Sequence, residues 1–364
     1  MAYSIQDIAL ALGAEAAGAT GLVVDGAAEP GTAGPSDLAL AMSPAYAAHL
    51  SKGKAKAAVV WPGCDWRSYG LEAAIFAPRA RLAMSRLTQM LDRPWDIDDG
   101  VHPSAVIEGA ELGDNVAVGP FAVIGKGAKI GAGTRIASHV YIAPGVVIGP
   151  DSVILNGARI MRRVKIGARA IINPNAVIGA DGFSFVMAEE SNVERTRSTL
   201  GAAELSAPSD PTQYRIHSLG GVIIGDDVEV GSGSTIDAGT IRPTRVGKGC
   251  KMDNGCQVGH NVVLGEHCLM AAQSAIAGST VIGNRVVLAG QSGIADNLKI
   301  GDDVVIAAGT KVLSNVAAGK VMMGYPAVQM TQQVEMYKAL RRLPRVLREL
   351  AGRQNLVSKS DQSD

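Results

Sequence analysis

The stretch Ile124-Gly-Lys-Gly-Ala-Lys-Ile-Gly-Ala-Gly-Thr-Arg-Ile136 places an aliphatic residue at every sixth position. The spacing holds from Val106 to Ile178, resumes at Ile224 and continues, after one shift of four residues, to Val312. A period of six is neither the helical 3.6 nor the alternation of a single strand. It is typical of a short strand followed by a tight corner. Three such hexads predict one triangular coil.

Stacked coils would pair their strands in parallel about 4.8 Å apart and close a prism, which is a parallel β-helix. The aliphatic residue and the small or β-branched residue four positions later, such as Val116, Ala122 or Ala128, are predicted to point inward. Glycine, 44 of the 364 residues, permits the tight corners. The sequence therefore predicts a mostly β protein with an aliphatic core.

Composition and charge exclude several classes of protein. Lys plus Arg and Asp plus Glu both number 34, so no global positive charge favours a nucleic-acid partner. No stretch reaches the roughly 18 apolar residues of a transmembrane segment, and the N-terminus lacks the features of a signal peptide. Four cysteines without a C-x-x-C motif fit a reducing compartment. We expect a cytoplasmic protein.

The period also divides the chain. Residues 1–98 lack the hexad and alternate helical and strand patterns, which predicts a small α/β domain. The β-helix is predicted over 99–325, with a loop near 186–219 ejected from the stack where the period breaks. Helical patterns return over 326–357, and 358–364 are predicted to form a flexible tail.

The cysteines and most histidines favour structural roles. Cys250, Cys256 and Cys268 each follow an aliphatic residue by four positions, which favours core packing over an acyl-cysteine intermediate. The six histidines do not converge on one corner at hexad spacing. No metal site is expected, and a zinc carbonic anhydrase of this fold is disfavoured.

His260 is different because of what lies one coil away. It follows Val258 by two positions, at a corner, and eighteen residues later the same corner carries Gly278. A base with an open backbone N–H one strand spacing away is a minimal acyl-transfer site. Asp253 and Asn254, on the preceding hexad, are candidates to orient the imidazole or contact substrate. For His260, Asp253 and Asn254, a merely solvated corner is the competing interpretation.

At these residues, the chain resembles the UDP-3-O-acylglucosamine N-acyltransferases of lipid A biosynthesis. The resemblance covers nearly the whole chain, and the ordered set of motifs is more specific than the hexapeptide repeat alone. The matching motifs are Asp37–Tyr46, Val101–Ile107, Ile178–Phe185, Gly225–Val230, Met252–Asn254, Gln257–Asn261 and Gly324–Ala327.

The resemblance implies a left-handed β-helix, a homotrimer and active sites in clefts between neighbouring prisms. It implies a UDP-glucosamine acceptor that already carries one acyl chain. The implied donor is a 3-hydroxyacyl chain on acyl carrier protein, so phosphopantetheine enters with the carrier and no cofactor is permanently bound. His260 becomes the general base, and Gly278 supplies the oxyanion N–H.

The same resemblance assigns substrate contacts and shows positions at which this chain differs from the family pattern. The N-terminal domain is expected to hold uracil, but Leu40 stands where the family often has an aromatic residue and Ser43 where it has Asn. Asn297 replaces a second family histidine, and Ser184 replaces a glycine. The implied substrate-binding set is Leu40, Ser43, Tyr46, Gly182, Phe183, Phe185, Asp253, Asn254 and Asn297.

A cluster of basic residues lies in the predicted C-terminal helices, which Pro344 is expected to break or kink. Because the whole chain is neutral, this local charge favours docking of the acidic acyl carrier protein, with a solvated helix face as the alternative. The cluster consists of Lys338, Arg341, Arg342, Arg345 and Arg348.

Two other functions remain open from the sequence. One is another UDP-sugar O- or N-acyltransferase of the hexapeptide family. The absence of a 100-residue N-terminal domain from the O-acylating relative and the Asp181-Gly-Phe183 segment argue against that enzyme. The other is a catalytically silent trimeric scaffold. The register of His260 with Gly278 argues against it, whereas Asn297 in place of histidine argues for it.

Overall fold

The computed structural model of the chain divides after Asp96 into two compact units. In the second unit, the hexads form short strands whose aliphatic residue is buried in most coils, as at Ile124, Ile142 and Ile160. At the first strand, Val106 is 49% exposed and Ile107 takes the inward register, in place of the predicted Val106. Burial of one such side chain in most strands stabilises a core that runs along the prism. The structure describes residues 2–93, 95–199, 202–324 and 327–360, with the side chains of 197 and 352–360 excepted.

Strands one coil apart pair in parallel, as Ala117 with Arg135 does, and build three long faces of the prism within the described residues. The first face contains Ala117–Val118, Arg135–Ile136, Val153–Ile154, Ile171–Ile172, Glu229–Val230, Lys251–Met252, Leu269–Met270, Val287–Leu288, Val305–Ile306 and Val321–Met322. The second contains Val106–Ile107, Val123–Ile124, Tyr141–Ile142, Arg159–Ile160, Val177–Asp181, Thr235–Ala238, Gln257–Val258, Ala275–Ile276, Gly293–Ile294 and Lys311–Val312. The third contains Glu111–Leu112, Lys129–Ile130, Val147–Ile148, Val164–Ile166, Val222–Ile224, Thr244–Val246, Val263–Leu264, Val281–Ile282 and Lys299–Ile300.

Two positions of the hexad shape each corner. The second residue after the buried aliphatic residue occupies what we call the corner slot. The third residue occupies the left-handed slot, where φ is positive in many coils, as at Asn261 (62°). The strand ladder does not need the N–H of the corner slot, because prolines fill it in the first half of the prism. These are Pro120, Pro144, Pro150 and Pro174.

The regular stack is interrupted where the period breaks. After the longer strand Val177–Asp181, the chain leaves the prism and rejoins it at Val222–Ile224. The intervening segment has structure of its own: Phe185–Val186 pairs antiparallel with Tyr214–Arg215, and a helix spans Asn192–Thr199. The predicted ejected loop is therefore a hairpin with a helix between its strands.

The four-residue shift forms a second interruption next to the first. It lies between Thr235–Ala238 and Thr244–Val246 and makes a small loop at the corner. The returning hairpin segment bonds to this loop: Leu219 N donates to Thr240 O at 2.7 Å, and Gly220 N donates to Gly239 O at 2.8 Å. The two interruptions therefore support each other.

The first unit is the predicted α/β domain. Its N-terminal helix, Ile5–Leu12, begins with a capping box in which Ser4 and Asp7 bond reciprocally. It packs with the helix Ala80–Leu91. The short strand Tyr3–Ser4 pairs with Val23–Val24. The main sheet runs in the order Glu15–Gly18, Ala73–Phe76, Ala57–Val60, Asp37–Ala41 and Gly26–Ala28. Short helical turns are Pro44–Ala47, Leu50–Lys52 and Trp66–Tyr69.

One continuous helix, Met330–Ser360, follows the prism, with Pro344 inside it. The expectation of several helices was wrong, because the helix continues through Pro344 without a break. A proline removes one backbone hydrogen bond, and the good helix formers on both sides, such as Leu343 and Arg345, continue the helix. Of the predicted tail, 361–364 lie outside the described residues. In the described part of the chain, no helix has the length and apolarity needed to cross a bilayer.

Candidate active site

The site is built around His260, which occupies the corner slot after the strand Gln257–Val258. Its side chain is half-buried, and Nδ1 lies 3.0 Å from Oδ1 of Asn261. Because an amide oxygen accepts hydrogen bonds only, Nδ1 must carry the proton in this contact. In the neutral imidazole, Nε2 is then the nitrogen that carries the lone pair.

Neighbouring groups fix which way the Asn261 amide points. Its Oδ1 also accepts from the backbone N and Oγ1 of Thr240, at 3.1 and 3.0 Å, and its Nδ2 donates to Arg242 O at 3.0 Å. Asn261 is 8% exposed, so an inverted amide would leave buried donors and acceptors mismatched. The four-residue loop therefore selects the tautomer of His260.

Two glycines leave room for the imidazole. A Cβ atom on Gly278 would lie 2.7 Å from His260 Nε2, and one on Gly182 would lie 2.7 Å from His260 Cβ. Gly182 is held there by its N–H bond to Ser218 Oγ, at 3.0 Å. The Gly278 N–H occupies a corner slot and has no acceptor among the described residues. A proton acceptor and an available N–H donor therefore face the same space.

That space is a cleft of about 890 Å³. One wall is the ejected hairpin and its helix, and the other is the corner of the prism. The sequence-predicted residues His260, Gly278, Phe183, Phe185 and Asn297 come together here. The hairpin side contributes Phe183–Met187, Ser191, Val193, Glu194 and Gln213, and the prism side contributes His260, Ala277–Ser279, Asp296 and Asn297.

The hairpin wall carries aromatic rings at the mouth of the cleft. Phe183 is 86% exposed, and its ring meets that of Phe185 edge to face, with centroids 5.2 Å apart. The Arg215 guanidinium lies 4.7 Å from the centroid of Phe185. This apolar surface beside the base is suited to contact with an aliphatic group.

Asp253 and Asn254 do not join this cleft. They lie at the corner between the first and second faces, whereas His260 lies between the second and third. Asp253 Oδ2 accepts from Ala272 N at 3.1 Å, and Asn254 Oδ1 accepts from Ser232 N at 2.7 Å. The prediction that they orient the imidazole was wrong within one chain, because a step of one hexad leads to the next corner of the triangle and not to the same one. The residue beside His260 Nδ1 is Asn261.

One carboxyl group, that of Asp237, lies near the imidazole. Asp237 accepts a hydrogen bond from Gln257 Nε2 at 3.0 Å. Burial raises the pKa of the Asp237 carboxyl, and the Gln257 hydrogen bond and the nearby His260 oppose that rise. Its charge would favour the protonated imidazolium that general-base catalysis forms.

The thiols belong to the core, as predicted. Cys250, Cys256 and Cys268 are at most 1% exposed and donate to carbonyls of the next coil. The hydrogen bond with Cys268, together with burial, raises the pKa of the Cys250 thiol. A protonated, buried thiol is a poor nucleophile. No cluster of three or more potential metal ligands occurs among the residues that the structure describes.

The predicted uracil contacts lie in the first unit, around the C-terminal end of the parallel strand Asp37–Ala41. Tyr46 is 60% exposed on the short helix that follows. Ser43 immediately precedes that helix, and Leu40 packs partly into the core of the unit. Carboxyl ends of parallel strands are common ligand sites. An exposed tyrosine ring there is available for stacking.

Sequence reasoning missed three residues of the prism site. Asn261 stood in the quoted motif without a role, and its partners come from the four-residue shift. Ser218 lies in the irregular segment, where periodicity gives no positions. Asp296 could have been found from the sequence, because the eighteen-residue step that leads from His260 to Gly278 leads next to Asp296.

The repeat fold, together with a corner at which His260 lies over the N–H of Gly278, unpaired among the described residues, defines the class of hexapeptide-repeat transferases. The sequence profile of the bacterial transferase hexapeptide family (six repeats) matches residues 109–144 and 145–180. The chain is 56% identical to the UDP-3-O-acylglucosamine N-acyltransferase of Ruegeria pomeroyi, over 100% of both chains. It is 50% identical to that of Paracoccus denitrificans, over 76% of both. The chain belongs to the UDP-3-O-acylglucosamine N-acyltransferase family and is an acyltransferase.

A solved structure agrees on the fold. The Arabidopsis UDP-N-acetylglucosamine acyltransferase superposes with a TM-score of 0.50 at 22% identity, over 62% of this chain and 71% of that one. The predicted fold class, a left-handed parallel β-helix with an N-terminal α/β domain and a helical C-terminus, is confirmed.

Proposed function

We propose that the protein moves a 3-hydroxyacyl chain from acyl carrier protein to the 2-amine of UDP-3-O-(3-hydroxyacyl)glucosamine, as a step of lipid A biosynthesis. The proposal rests mainly on the position of His260 Nε2, which lies over the Gly278 backbone inside the cleft while Nδ1 contacts Asn261. Family membership supports the choice of substrates.

In the proposed reaction, the neutral amine attacks the thioester carbonyl carbon, and a C–N bond forms. His260 Nε2 takes one proton from the nitrogen, and the Gly278 N–H donates to the developing oxyanion. The intermediate then collapses, the C–S bond breaks, and the imidazolium returns its proton to the leaving sulfur of phosphopantetheine. The products are an amide and the free thiol of the carrier.

The uridine of the acceptor is proposed to bind the first unit at Tyr46, with Ser43 and Leu40 beside it. Because Leu40 packs into the core, the tyrosine provides the main stacking surface. Tyr46→Ala should raise the acceptor KM about tenfold, consistent with the 1–3 kcal/mol of a base stacked on an aromatic ring. Tyr46→Phe should keep the wild-type KM, and an unchanged KM in Tyr46→Ala would remove uridine from this position.

The homotrimer is also a proposal, and the C-terminal helix supports self-association. Its exposed apolar residues recur at alternating steps of four and three, which is the heptad seam of a coiled coil. The seam consists of Met336, Leu340, Leu343, Leu347 and Leu350, each 46–58% exposed in the single chain. Sedimentation at micromolar concentration should give a trimer, and a monomer would overturn this proposal and that of a cleft between subunits.

The same helix is proposed to dock acyl carrier protein in the cytoplasm. In the heptad frame, the basic cluster falls on the side opposite the seam, so association leaves it exposed. Arg345 forms one surface ion pair, with Glu349 at 3.4 Å. The cluster consists of Lys338, Arg341, Arg342, Arg345 and Arg348.

Charge reversal of Arg341, Arg342 and Arg345 to Glu tests that docking. The KM for the carrier should rise and its salt dependence should flatten, because exposed charges mainly act on encounter. The KM for the UDP-sugar should stay unchanged. Equal losses for both substrates would assign the arginines to assembly instead.

The decisive test of the reaction is an acyl-transfer assay with purified protein, UDP-3-O-acylglucosamine and a panel of acyl carrier proteins. We expect amide formation with 3-hydroxyacyl donors. Acylation of UDP-N-acetylglucosamine on oxygen, without amide formation, would identify an O-acyltransferase. No transfer to either acceptor would favour a silent scaffold.

A further inference from the structure

The corner that carries His260 continues into the next coils in register. Gln257, Ala275 and Gly293 are paired neighbours on the second face, so the corner slots that follow them stack in the same order. Those slots hold His260, Gly278 and Asp296. At about 4.8 Å per coil, the Asp296 Cα lies about 10 Å from that of His260. Gly278, between them, has no side chain to fill the gap.

The ionisable residues that line the cleft include two carboxylates, while the Arg215 guanidinium lies at its mouth, against the ring of Phe185. Among the described residues that line it, the titratable side chains are Glu194, His260 and Asp296, and none is a lysine or arginine. Asp237 adds a further carboxyl group near enough to the imidazole to feel its charge. The lining carboxylates, away from Arg215 at the mouth, favour a cation beside them.

The two lining carboxylates are not equivalent. Glu194 Oε2 accepts from the backbone N and Oγ of Ser191, at 2.8 and 2.7 Å, and so caps its own helix. Asp296 Oδ2 accepts from Asn297 Nδ2 at 2.9 Å, an amide that faces the same cleft. A carboxylate has about four lone-pair positions and can accept several hydrogen bonds at once. Asp296 also shares the stack of His260.

We propose that Asp296 binds the amine of the acceptor sugar and holds it between its carboxylate and His260 Nε2. This inference rests on the proposed function and names the group that recognises the nucleophile. The carboxylate accepts N–H bonds from the amine and attracts its protonated form, which is a cation. The ammonium releases its extra proton to water in the open cleft. The neutral amine then attacks with Nε2 as its base.

This assignment also gives the enzyme a means of choosing nitrogen over oxygen. A hydroxyl at the same sugar carbon gives Asp296 one neutral hydrogen bond, whereas an ammonium gives a charge-assisted one, which is roughly twice as strong. The acceptor amine and its hydroxyl analogue should therefore bind with different affinities. That difference should depend on the charge of residue 296.

Calorimetric binding of two acceptors at pH 6, below the usual pKa range of an amine, tests the proposal. The acceptors are UDP-3-O-acylglucosamine and UDP-3-O-acylglucose, which differ only in the amine. The wild-type protein should bind the amine about tenfold more tightly, as one charged hydrogen bond predicts. Asp296→Asn should lose that preference and still bind the hydroxyl analogue as the wild type does. Asp114→Asn is the matched control, because Asp114 occupies a corner slot at another corner.

Several results would overturn the assignment. They are an undiminished amine preference in Asp296→Asn, equal weakening of both acceptors, and a rise in the KM for acyl carrier protein alone. The wild-type transfer assay, run in parallel, separates the two proposals. Activity with an unaltered Asp296→Asn preference rejects the role of Asp296, and a wild type without amide formation rejects the function itself.

Discussion

Two histidines stand at corners of the same prism, and their surroundings differ. His139 occupies a left-handed slot (φ 60°), is exposed, and meets the ring of Phe121 edge to face at 5.2 Å. His260 occupies a corner slot, where Asn261 holds its Nδ1 and two glycines flank its ring. A corner position is common in this fold. The tautomer and the open donor come from residues around the histidine.

The two corners also lie in different halves of the stack. His139 belongs to the regular half, where corner slots often carry proline. His260 lies one coil beyond the two interruptions, and both reach it, the hairpin through Gly182 and the four-residue loop through Asn261. The repeat supplies a rigid frame, and the departures from the repeat supply the chemistry.

The largest expected effect separates the two histidines directly. His260→Ala should lower kcat by about 10²–10⁴-fold, the usual contribution of a general base, with little change in Tm. His139→Asn, which keeps a residue that tolerates the left-handed backbone, should leave kcat unchanged. Steady-state kinetics of both variants are the measurement. Activity of His260→Ala within about threefold of wild type, well short of the general-base range, would contradict the comparison.

The next effect concerns the space under the imidazole. Gly278→Ala places a methyl group 2.7 Å from His260 Nε2, which displaces the ring from the oxyanion donor. We expect kcat to fall about 100-fold, as when one oxyanion donor is lost. Gly290→Ala occupies the same slot at another corner and meets only Ala272 O at 3.6 Å, so it should be silent. Equal behaviour of the two variants would argue against a special role for Gly278.

A smaller loss of kcat is expected when the tautomer of His260 is no longer fixed by Asn261. Asn261→Gly keeps the left-handed backbone and removes the amide, so both tautomers of His260 become populated. We expect about a tenfold loss in kcat, far below the loss seen when a charged orienting group is removed. The buried hydrogen bonds should also weaken, lowering stability by about 1–3 kcal/mol in denaturant unfolding.

Asn175→Gly is the control for that variant, because Asn175 occupies an exposed left-handed slot (φ 59°) in the regular half. It should retain wild-type kcat. If Asn261→Gly loses stability and keeps kcat, the amide supports only the loop and does not set the tautomer.

The smallest effect concerns Asn297, where the resemblance places a second histidine. It occupies a left-handed slot (φ 60°), which asparagine and histidine both tolerate. Asn297→His should change kcat less than about threefold, below the range of acid–base catalysis, and add no new limb to the pH–rate profile. A tenfold gain would show that an acid is missing from this site.

Periodicity predicted the prism, the inward residues and the register of His260 with Gly278, because each follows from counting in sixes and eighteens. The same counting placed Asp253 near His260, and there it failed. One hexad moves a residue to the next corner of the triangle, and only a full coil returns to the same corner. Asn261 was not predicted, because its partners Thr240 and Arg242 lie in an insertion that obeys no period.

The stack also acts as a ruler along its axis. From the coil of Val258 to that of Val312 there are three steps of about 4.8 Å, or about 14 Å. A phosphopantetheine arm of about 20 Å, estimated from backbone-like bond lengths, spans that distance. Adding or removing one coil of eighteen residues below the base would change the reach by one fixed increment and keep every corner in place. Related enzymes can therefore adjust the distance from the catalytic corner to the end of the prism one whole coil at a time, while the carrier arm keeps a constant length.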